Sequence, residues 1–245
     1  VINSHVGLPD MYNVFFLMLS MYLIAKLLKK PTFKNYIITW ISVASTFLIK
    51  YQVHILIPLL LTHIIISLRE SNRNVRTFLK IFFSKKIIFG GIVALAIVLV
   101  SHIYHFLNWD KVVEINSYEA IKYGFGRNTF DLYVVSYLYH VGMGPFLSVT
   151  AVLGIFVGLL FKRHRLTSLI LLSVLPTFMY LYLYYTGGGF YTRNLISAIP
   201  ILLIFSAVFV DYLFKIIENI ISSKIIAKFI FALLLLAGVF SQFKD

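Results

Sequence analysis

The chain has 245 residues, of which 60% are hydrophobic and only 13% are charged. A soluble domain carries roughly 25% charged residues, so this composition excludes an ordinary soluble protein with a polar surface. Basic residues outnumber acidic ones by 22 to 9, and there is no cysteine, which excludes disulfides, thiolate metal sites and cysteine nucleophiles in this chain. We therefore predict an integral membrane protein whose positive charge lies in loops and binds no nucleic acid.

The first motif, Gly7-Leu8-Pro9-Asp10, stands directly before a long apolar run. An aspartate at this position is typical of a helix cap, because its carboxylate accepts hydrogen bonds from the free N–H groups of a helix beginning near Met11. It is also a candidate functional carboxylate, and the sequence leaves both interpretations of Asp10 open. Residues 1–9 are typical of the middle of a loop, so we expect the chain to be a piece of a longer protein.

Six apolar stretches have the length needed to cross a membrane, which takes about 20 apolar residues. They cover residues 12–28, 87–107, 145–161, 166–185, 194–214 and 225–243. Such a succession predicts an all-α, polytopic bundle of transmembrane helices, and we assign it to one membrane domain over residues 1–245.

A seventh apolar stretch, residues 36–68, is interrupted by Lys50-Tyr51-Gln52. At 1.5 Å per residue each half reaches only roughly 21–24 Å, short of a hydrocarbon core of about 30 Å. We predict two short antiparallel helices that do not span, which brings the bundle to about eight membrane segments. Their turn would lie below the membrane surface, where irregular backbone must be enclosed by protein or line a wet cavity.

Four residues at this interruption are predicted to line an outward cavity: Lys50, Tyr51, Gln52 and His54. Lys50 would meet an anionic ligand there, because a charge at the edge of the hydrocarbon is costly without a partner. The alternative is a lysine whose long side chain extends to the membrane surface.

Basic residues are divided unequally between the two sets of loops that this topology defines. One set holds sixteen basic and three acidic residues, and the other holds six of each. Because basic residues concentrate in cytoplasmic loops, we predict a multi-pass protein of the cell membrane. Residues 1–11, 108–144 and 186–193 and the turn at Lys50 would lie on the outer side, so we expect an active site that opens outward.

Two arginines stand beside glycines in these outer loops. Arg127 follows Gly124-Phe125-Gly126, and Arg193 follows a triple glycine and Tyr191. Arginine binds phosphate in a bidentate manner and glycines make a loop adaptable, so both arginines are candidates for phosphate binding, with Tyr191 in the cavity wall. The alternative is a belt of aromatic and arginine side chains at the membrane surface.

His102 and His105 are three residues apart near Asp110. This spacing places both imidazoles on one helical face and permits shared metal ligation. No third ligand is defined, so the pair is either a candidate metal site or an interfacial pair.

The succession of these motifs resembles the GT-C membrane glycosyltransferases that use polyprenyl-phosphate sugars, such as the protein O-mannosyltransferases and the aminoarabinose transferases of lipid A. In that family an acidic residue precedes a membrane span, and a basic turn follows the span. Here Asp10 precedes the apolar run of residues 12–28, and Lys29-Lys30 follow it. A short apolar run then closes on a step similar to Lys50-Tyr51, before a segment with a proline. An arginine similar to Arg193 precedes a later apolar span with a proline.

The resemblance implies a GT-C-like fold and transfer of a sugar from a polyprenyl-phosphate donor to a lipid, glycan or protein acceptor, among membrane lipids at the outer face. Lys50, Arg127 and Arg193 would bind the donor phosphate, and Asp10 would be a catalytic carboxylate. The family leaves room for a divalent metal cation as cofactor. Its main catalytic base is expected in a first outer loop that this fragment lacks, so the fragment would be incomplete as a catalyst.

Two other functions stay open from the sequence. An O-antigen ligase or polymerase is also a multispan enzyme with a large outer loop. A lipid or polysaccharide transporter is expected to carry charges inside its long spans, where this chain has almost none. An Asp-Glu step after the first span of the longer protein would distinguish the glycosyltransferase from the ligase.

Overall fold

The computed structural model describes residues 4–50, 53–72, 74–103, 107–108, 110–111, 143–179, 198–221 and 223–240. Every regular element in these ranges is a helix, and they contain no strand, so the prediction of an all-α protein is confirmed. The chain divides into two compact units, Val1–Thr129 with Ile170–Ser197 and Phe130–Leu169 with Ala198–Asp245. A single membrane domain stays a prediction.

The helices of the first unit follow one another with short connections. They are α1 (Ser4–Lys29), α2 (Phe33–Lys50), a 3₁₀ turn (Val53–Ile55), α3 (Leu56–Glu70), α4 (Val75–Phe82) and α5 (Lys85–Ser101). The connection between α1 and α2 is tight because Thr32 Oγ1 accepts a hydrogen bond from the backbone N–H of Asn35, whose side-chain amide donates to the carbonyl of Lys30. These two helices therefore form an antiparallel hairpin.

The second unit contains α6, the first part of α7, α8 and α9. Their bounds are Gly144–Leu160 for α6, Lys162–Met179 for α7, Ile199–Ile220 for α8 and Lys224–Phe240 for α9, and the division between the units falls within α7. Pro145 and Pro200 each stand in the first turn of their helix. Proline is well tolerated there because the first N–H groups of a helix have no intrahelical partner.

The apolar stretch of residues 36–68 is divided into two α-helices, as predicted, while Tyr51 and Gln52 of the predicted interruption lie outside the described residues. α2 ends at Lys50 and α3 begins at Leu56. α2 has 18 residues and α3 has 15, which corresponds to about 27 Å and about 22 Å of helix. Both fall short of a hydrocarbon core of about 30 Å, as the sequence indicated.

Three helical stretches are long and apolar enough to cross a membrane: Met11–Lys29, Val75–Ser101 and Ile199–Ile220. Shorter apolar helices cover Phe33–Ile49, Gly144–Leu160, His164–Leu175 and Lys228–Gly238. Large apolar side chains stand exposed along these helices, among them Leu95, Phe156 and Phe229. Extended exposed apolar surface is typical of contact with lipid. The number of eight segments and the GT-C arrangement stay predictions.

Small and polar residues mediate the closest helix contacts. The Ser20 hydroxyl of α1 lies 2.8 Å from the hydroxyl of Ser42 and 3.0 Å from that of Thr46, both on α2. In the second unit, Gly154 of α6 lies directly against the backbone of Phe205 on α8, and the hydroxyls of Thr150 and Ser206 are 2.6 Å apart. Such contacts are typical of helices that pack in a membrane, because small residues let two backbones approach closely.

Two helix ends differ from the predictions. α1 begins at Ser4, so Asp10 is inside the helix, and its interpretation as the cap of a helix beginning near Met11 is wrong. Pro9 lies inside α1, although a proline beyond the first turn lacks the N–H for one helical hydrogen bond and crowds the preceding turn. α5 ends at Ser101 rather than near residue 107, with His102 as its C-terminal cap.

A further difference concerns residues 75–82, which the sequence assigned to a basic loop. They form α4, because the Asn74 side chain accepts a hydrogen bond of 3.0 Å from the backbone N–H of Thr77. Asparagine is among the most favourable N-terminal caps. This cap and the spacing of Val75, Phe78, Leu79 and Phe82 are the signals that predict the helix.

Candidate functional site

The α1–α2 hairpin brings two predicted site residues to the same end of the first unit. Its antiparallel register is fixed by the contact of Ser20 with Ser42 and Thr46. Asp10 lies ten residues before Ser20 and Lys50 lies four residues after Thr46, which is about 15 Å and about 6 Å along the respective helices. Because the helices run in opposite directions, both displacements point to one end.

The 3₁₀ turn that follows Lys50 packs at this end, since Val53–Ile55 contacts both α1 and α2. Its His54 is 1% exposed. Burial lowers the pKa of His54 to about 4, because a low-dielectric surrounding disfavours the charged imidazolium. His54 is therefore neutral at pH 7 and brings no positive charge to an anion at this end.

An apolar cavity of about 240 Å³ lies beside the interruption, between α2, the 3₁₀ turn and α5. Its lining includes Trp40, Phe47, Ile55, Ala94 and Val98. His54 is not part of this lining. The cavity therefore fits a hydrocarbon chain and offers almost no polar contact. The predicted outward cavity lined by Lys50 and its neighbours stays a prediction.

A buried polar contact that the sequence analysis missed joins α2, α3 and α4. The Tyr36 hydroxyl lies 2.7 Å from Nδ1 of His63, and Nε2 of His63 lies 2.8 Å from the carbonyl oxygen of Phe82. Because a carbonyl only accepts, Nε2 carries the proton and Nδ1 accepts from Tyr36. A histidine in an apolar run is the only signal that the sequence gives for this contact.

The geometry of this contact indicates a structural role and not a catalytic one. Both ring nitrogens of His63 have partners, and Tyr36 is buried. Tyr36 also stands 14 residues before Lys50 on α2, about 21 Å away along the helix. The contact therefore holds three helices together at the end of the unit opposite to Asp10 and Lys50.

The second unit has a separate groove between α6, the start of α7 and α8. Its lining combines apolar residues such as Val157 and Ile204 with His164 and with Asp211 and Lys215, which form an ion pair of 2.5 Å. Both charged side chains are more than half exposed, and exposed pairs of this kind stabilise little. Of the predicted site residues that the structure describes, none is among those that line this groove.

The predicted metal pair is described only in part. Nδ1 of His102 lies 3.2 Å from the carbonyl oxygen of Val98, while His105 lies outside the described residues. Within the described ranges no group of three potential ligands is assembled. A metal cofactor stays a prediction.

Several predicted site residues fall outside what the structure describes. Tyr51, Gln52, Arg127, Tyr191 and Arg193 are in this group. The backbones of Asp10 and Lys50 are described but their side chains are not, so these two are assigned to one end of the hairpin by helix position alone.

Comparison of the chain with protein families, with curated proteins and with solved structures finds no match.

Proposed function

We propose that the chain is part of an integral-membrane glycosyltransferase that moves a sugar from a polyprenyl-phosphate donor to a lipid, glycan or protein acceptor. The observation that supports this most is the common position of Asp10 and Lys50 at one end of the α1–α2 hairpin. The resemblance in sequence assigns an acidic residue and a cation to the reacting centre, and α2 ends at Lys50 at that end of the hairpin.

The chemistry divides between these two kinds of residue. An acceptor hydroxyl or amine attacks the anomeric carbon of the sugar, and the bond from that carbon to the phosphate oxygen breaks. The phosphate leaves with the electron pair, so cations such as Lys50, Arg127 and Arg193 stabilise the charge that develops on it. The acceptor's proton goes to a carboxylate, either Asp10 or a base in the preceding loop.

The apolar cavity between α2 and α5 supports a lipid-linked donor. It lies beside the interruption and is lined by apolar side chains such as Phe47 and Val98. If an isoprenoid tail occupied this cavity, only the length of the 3₁₀ turn would separate it from a phosphate bound at Lys50. The donor's phosphate would then meet the Lys50 end of the hairpin, which the charge distribution assigns to the outer side of a multi-pass membrane protein.

Replacement of Lys50 by Ala tests this assignment in the full-length protein in its membrane. Hydrogen bonds to charged groups contribute about 1.5–3 kcal/mol, so the donor concentration for half-maximal transfer should rise roughly 10–100-fold. The measurement is the release of polyprenyl phosphate from a panel of polyprenyl-phosphate hexoses and pentoses. Lys34→Ala is the matched control, because Lys34 is exposed at the opposite end of the same helix.

Asp10→Asn completes the test. Because α1 begins at Ser4, a capping role no longer explains Asp10. Asparagine has the same shape without the charge, so loss of transfer in Asp10→Asn would show that the carboxylate acts in the reaction. Equal effects of the Lys50 and Lys34 substitutions would contradict the phosphate site. Failure of the unsubstituted protein to release polyprenyl phosphate from any donor would overturn the function and favour a ligase or a transporter.

A further inference from the structure

α4 stands out because its exposed surface is part apolar and part basic. Val75, Leu79 and Phe83 are 72%, 48% and 64% exposed. They recur every four residues and therefore form one apolar strip along the helix and its end. Arg76 and Lys80, four residues apart and both exposed, form a parallel basic strip next to it. Within the described residues neither Arg76 nor Lys80 forms an ion pair.

The side of α4 next to the apolar strip is fixed to α3. The Phe82 carbonyl accepts the hydrogen bond of 2.8 Å from His63, and the Phe82 ring packs on the His63 ring with centroids 5.2 Å apart. Phe78 stacks on Phe82 from the preceding turn. The two exposed strips therefore have a set orientation relative to α3.

The chain direction changes where α4 meets α5. Phe83 and Ser84 separate the helices, and Ser84 has an extended backbone with ψ 154°, so α4 does not continue into α5 as one straight helix. α5 then presents exposed Ile88, Phe89 and Ile92 in its first turns, where the apolar stretch that can cross a membrane continues. α4 is thus the first part of the apolar stretch Val75–Ser101, and the change of direction at Ser84 lets it lie at an angle to α5.

We propose that α4 lies on the bilayer surface and binds anionic phospholipid headgroups through Arg76 and Lys80, while Val75, Leu79 and Phe83 enter the upper acyl region. A helix with adjacent apolar and basic faces has this position because burial of the apolar strip and attraction of the basic strip to anionic lipid act together. The net positive charge of the nearby loops has the sign that complements such a surface. This binding is independent of glycosyl transfer and holds equally for a transporter or a ligase.

The depth of α4 is measured with single spin labels, for which the chain is suited because it has no cysteine. Leu79→Cys and Thr77→Cys are labelled in the full chain reconstituted in phosphatidylcholine vesicles that contain phosphatidylglycerol. The two positions project about 160° apart on the helix. We expect the label at 79 to be reached by oxygen and shielded from a water-soluble nickel chelate, and the label at 77 to show the reverse.

Either of two results overturns the proposal at this step. Equal access of the nickel chelate to both labels would mean that the apolar strip faces water. Shielding of the label at 79 from both reagents would mean that protein covers the strip in place of lipid.

The headgroup preference is measured separately with a fluorophore at Leu79→Cys and trace amounts of headgroup-spin-labelled phosphatidylglycerol or phosphatidylcholine as quencher. A basic residue near the surface should enrich anionic lipid about fivefold around it. Spin-labelled phosphatidylglycerol should therefore quench the fluorophore at position 79 several-fold more strongly than spin-labelled phosphatidylcholine does. Arg76→Ala with Lys80→Ala should bring the ratio to unity, while Lys111→Ala, an exposed lysine outside α4, should leave it unchanged. A ratio of unity before substitution, or one that the double substitution does not lower, would refute the preference for anionic lipid.

Discussion

His54 illustrates at the scale of one residue how burial changes what a side chain can do. The sequence grouped it with Lys50 as a lining residue of a site for an anion. The structure buries it in the turn after α2 and lowers its pKa to about 4. A neutral imidazole can accept or donate a hydrogen bond but adds no charge to an anion site. The cationic part of the proposed site therefore depends on Lys50 and the loop arginines.

The same burial predicts a pH dependence of stability. In the unfolded chain His54 takes up a proton near its ordinary pKa of about 6.5, whereas the folded protein resists protonation until about pH 4. The contribution of His54 to the free energy of unfolding should be constant above the pKa of the unfolded chain and should fall as the pH is lowered through 4, by a total of about 3 kcal/mol. Thermal unfolding in detergent over this range measures the decline.

His54→Gln should flatten that profile, because glutamine keeps hydrogen-bonding capacity and does not titrate. His164→Gln is the matched control, since His164 is a histidine in the second unit that is only partly buried. If the stability of His54→Gln fell by the same amount between pH 6.5 and 4, the pH dependence would belong to other groups.

At the scale of elements, the contact between α2 and α5 depends on one glycine. A Cβ at Gly90 would overlap the indole ring of Trp40, whereas a Cβ at the adjacent Gly91 would lie 3.9 Å from the same ring, at ordinary contact distance. Trp40 also lines the apolar cavity. The side-chain volume at position 90 therefore sets both the helix separation and the shape of the cavity.

Alanine at these two positions should have opposite effects. Gly90→Ala should destabilise the folded protein by about 1–3 kcal/mol, because the rigid ring must shift to accommodate the added methyl group. Gly91→Ala should be neutral or stabilise by up to about 1 kcal/mol through helix propensity. Thermal unfolding of both variants in the same detergent compares them, and equal midpoints would show that Trp40 can move freely.

At the scale of the whole molecule, the distribution of charge predicts the orientation in the membrane. The loop set with sixteen basic residues should be cytoplasmic. Thr77 and Asp110 are exposed and belong to opposite sides in this topology, and each offers a site for a single cysteine. In intact cells an impermeant thiol reagent should label Asp110→Cys and not Thr77→Cys. After the cells are opened both should react. The reverse pattern would invert the topology and place the proposed active site in the cytoplasm.

Apolar run length and a charged break act locally on each segment, so the all-α class and the division of residues 36–68 into two helices could be predicted from the sequence. It also gave the charge pattern from which the orientation is predicted. It placed the start of α1 too late, which made a cap one of the two interpretations of Asp10, and it missed α4. A proline near the start of a helix and a short capped helix in a basic segment both give signals that resemble a loop.

Which distant residues share an end of the hairpin or a contact could not be predicted, because it depends on how the helices pack. The common end of Asp10 and Lys50 depends on Ser20 meeting Ser42 and Thr46, and the fixed orientation of α4 depends on His63 reaching both Tyr36 and Phe82. Neither pairing has a periodic signature, because each depends on how closely two helices approach, as the contact of Gly90 with Trp40 does between α5 and α2. That approach is set by the complementary shapes of facing surfaces, which are assembled only when the helices pack.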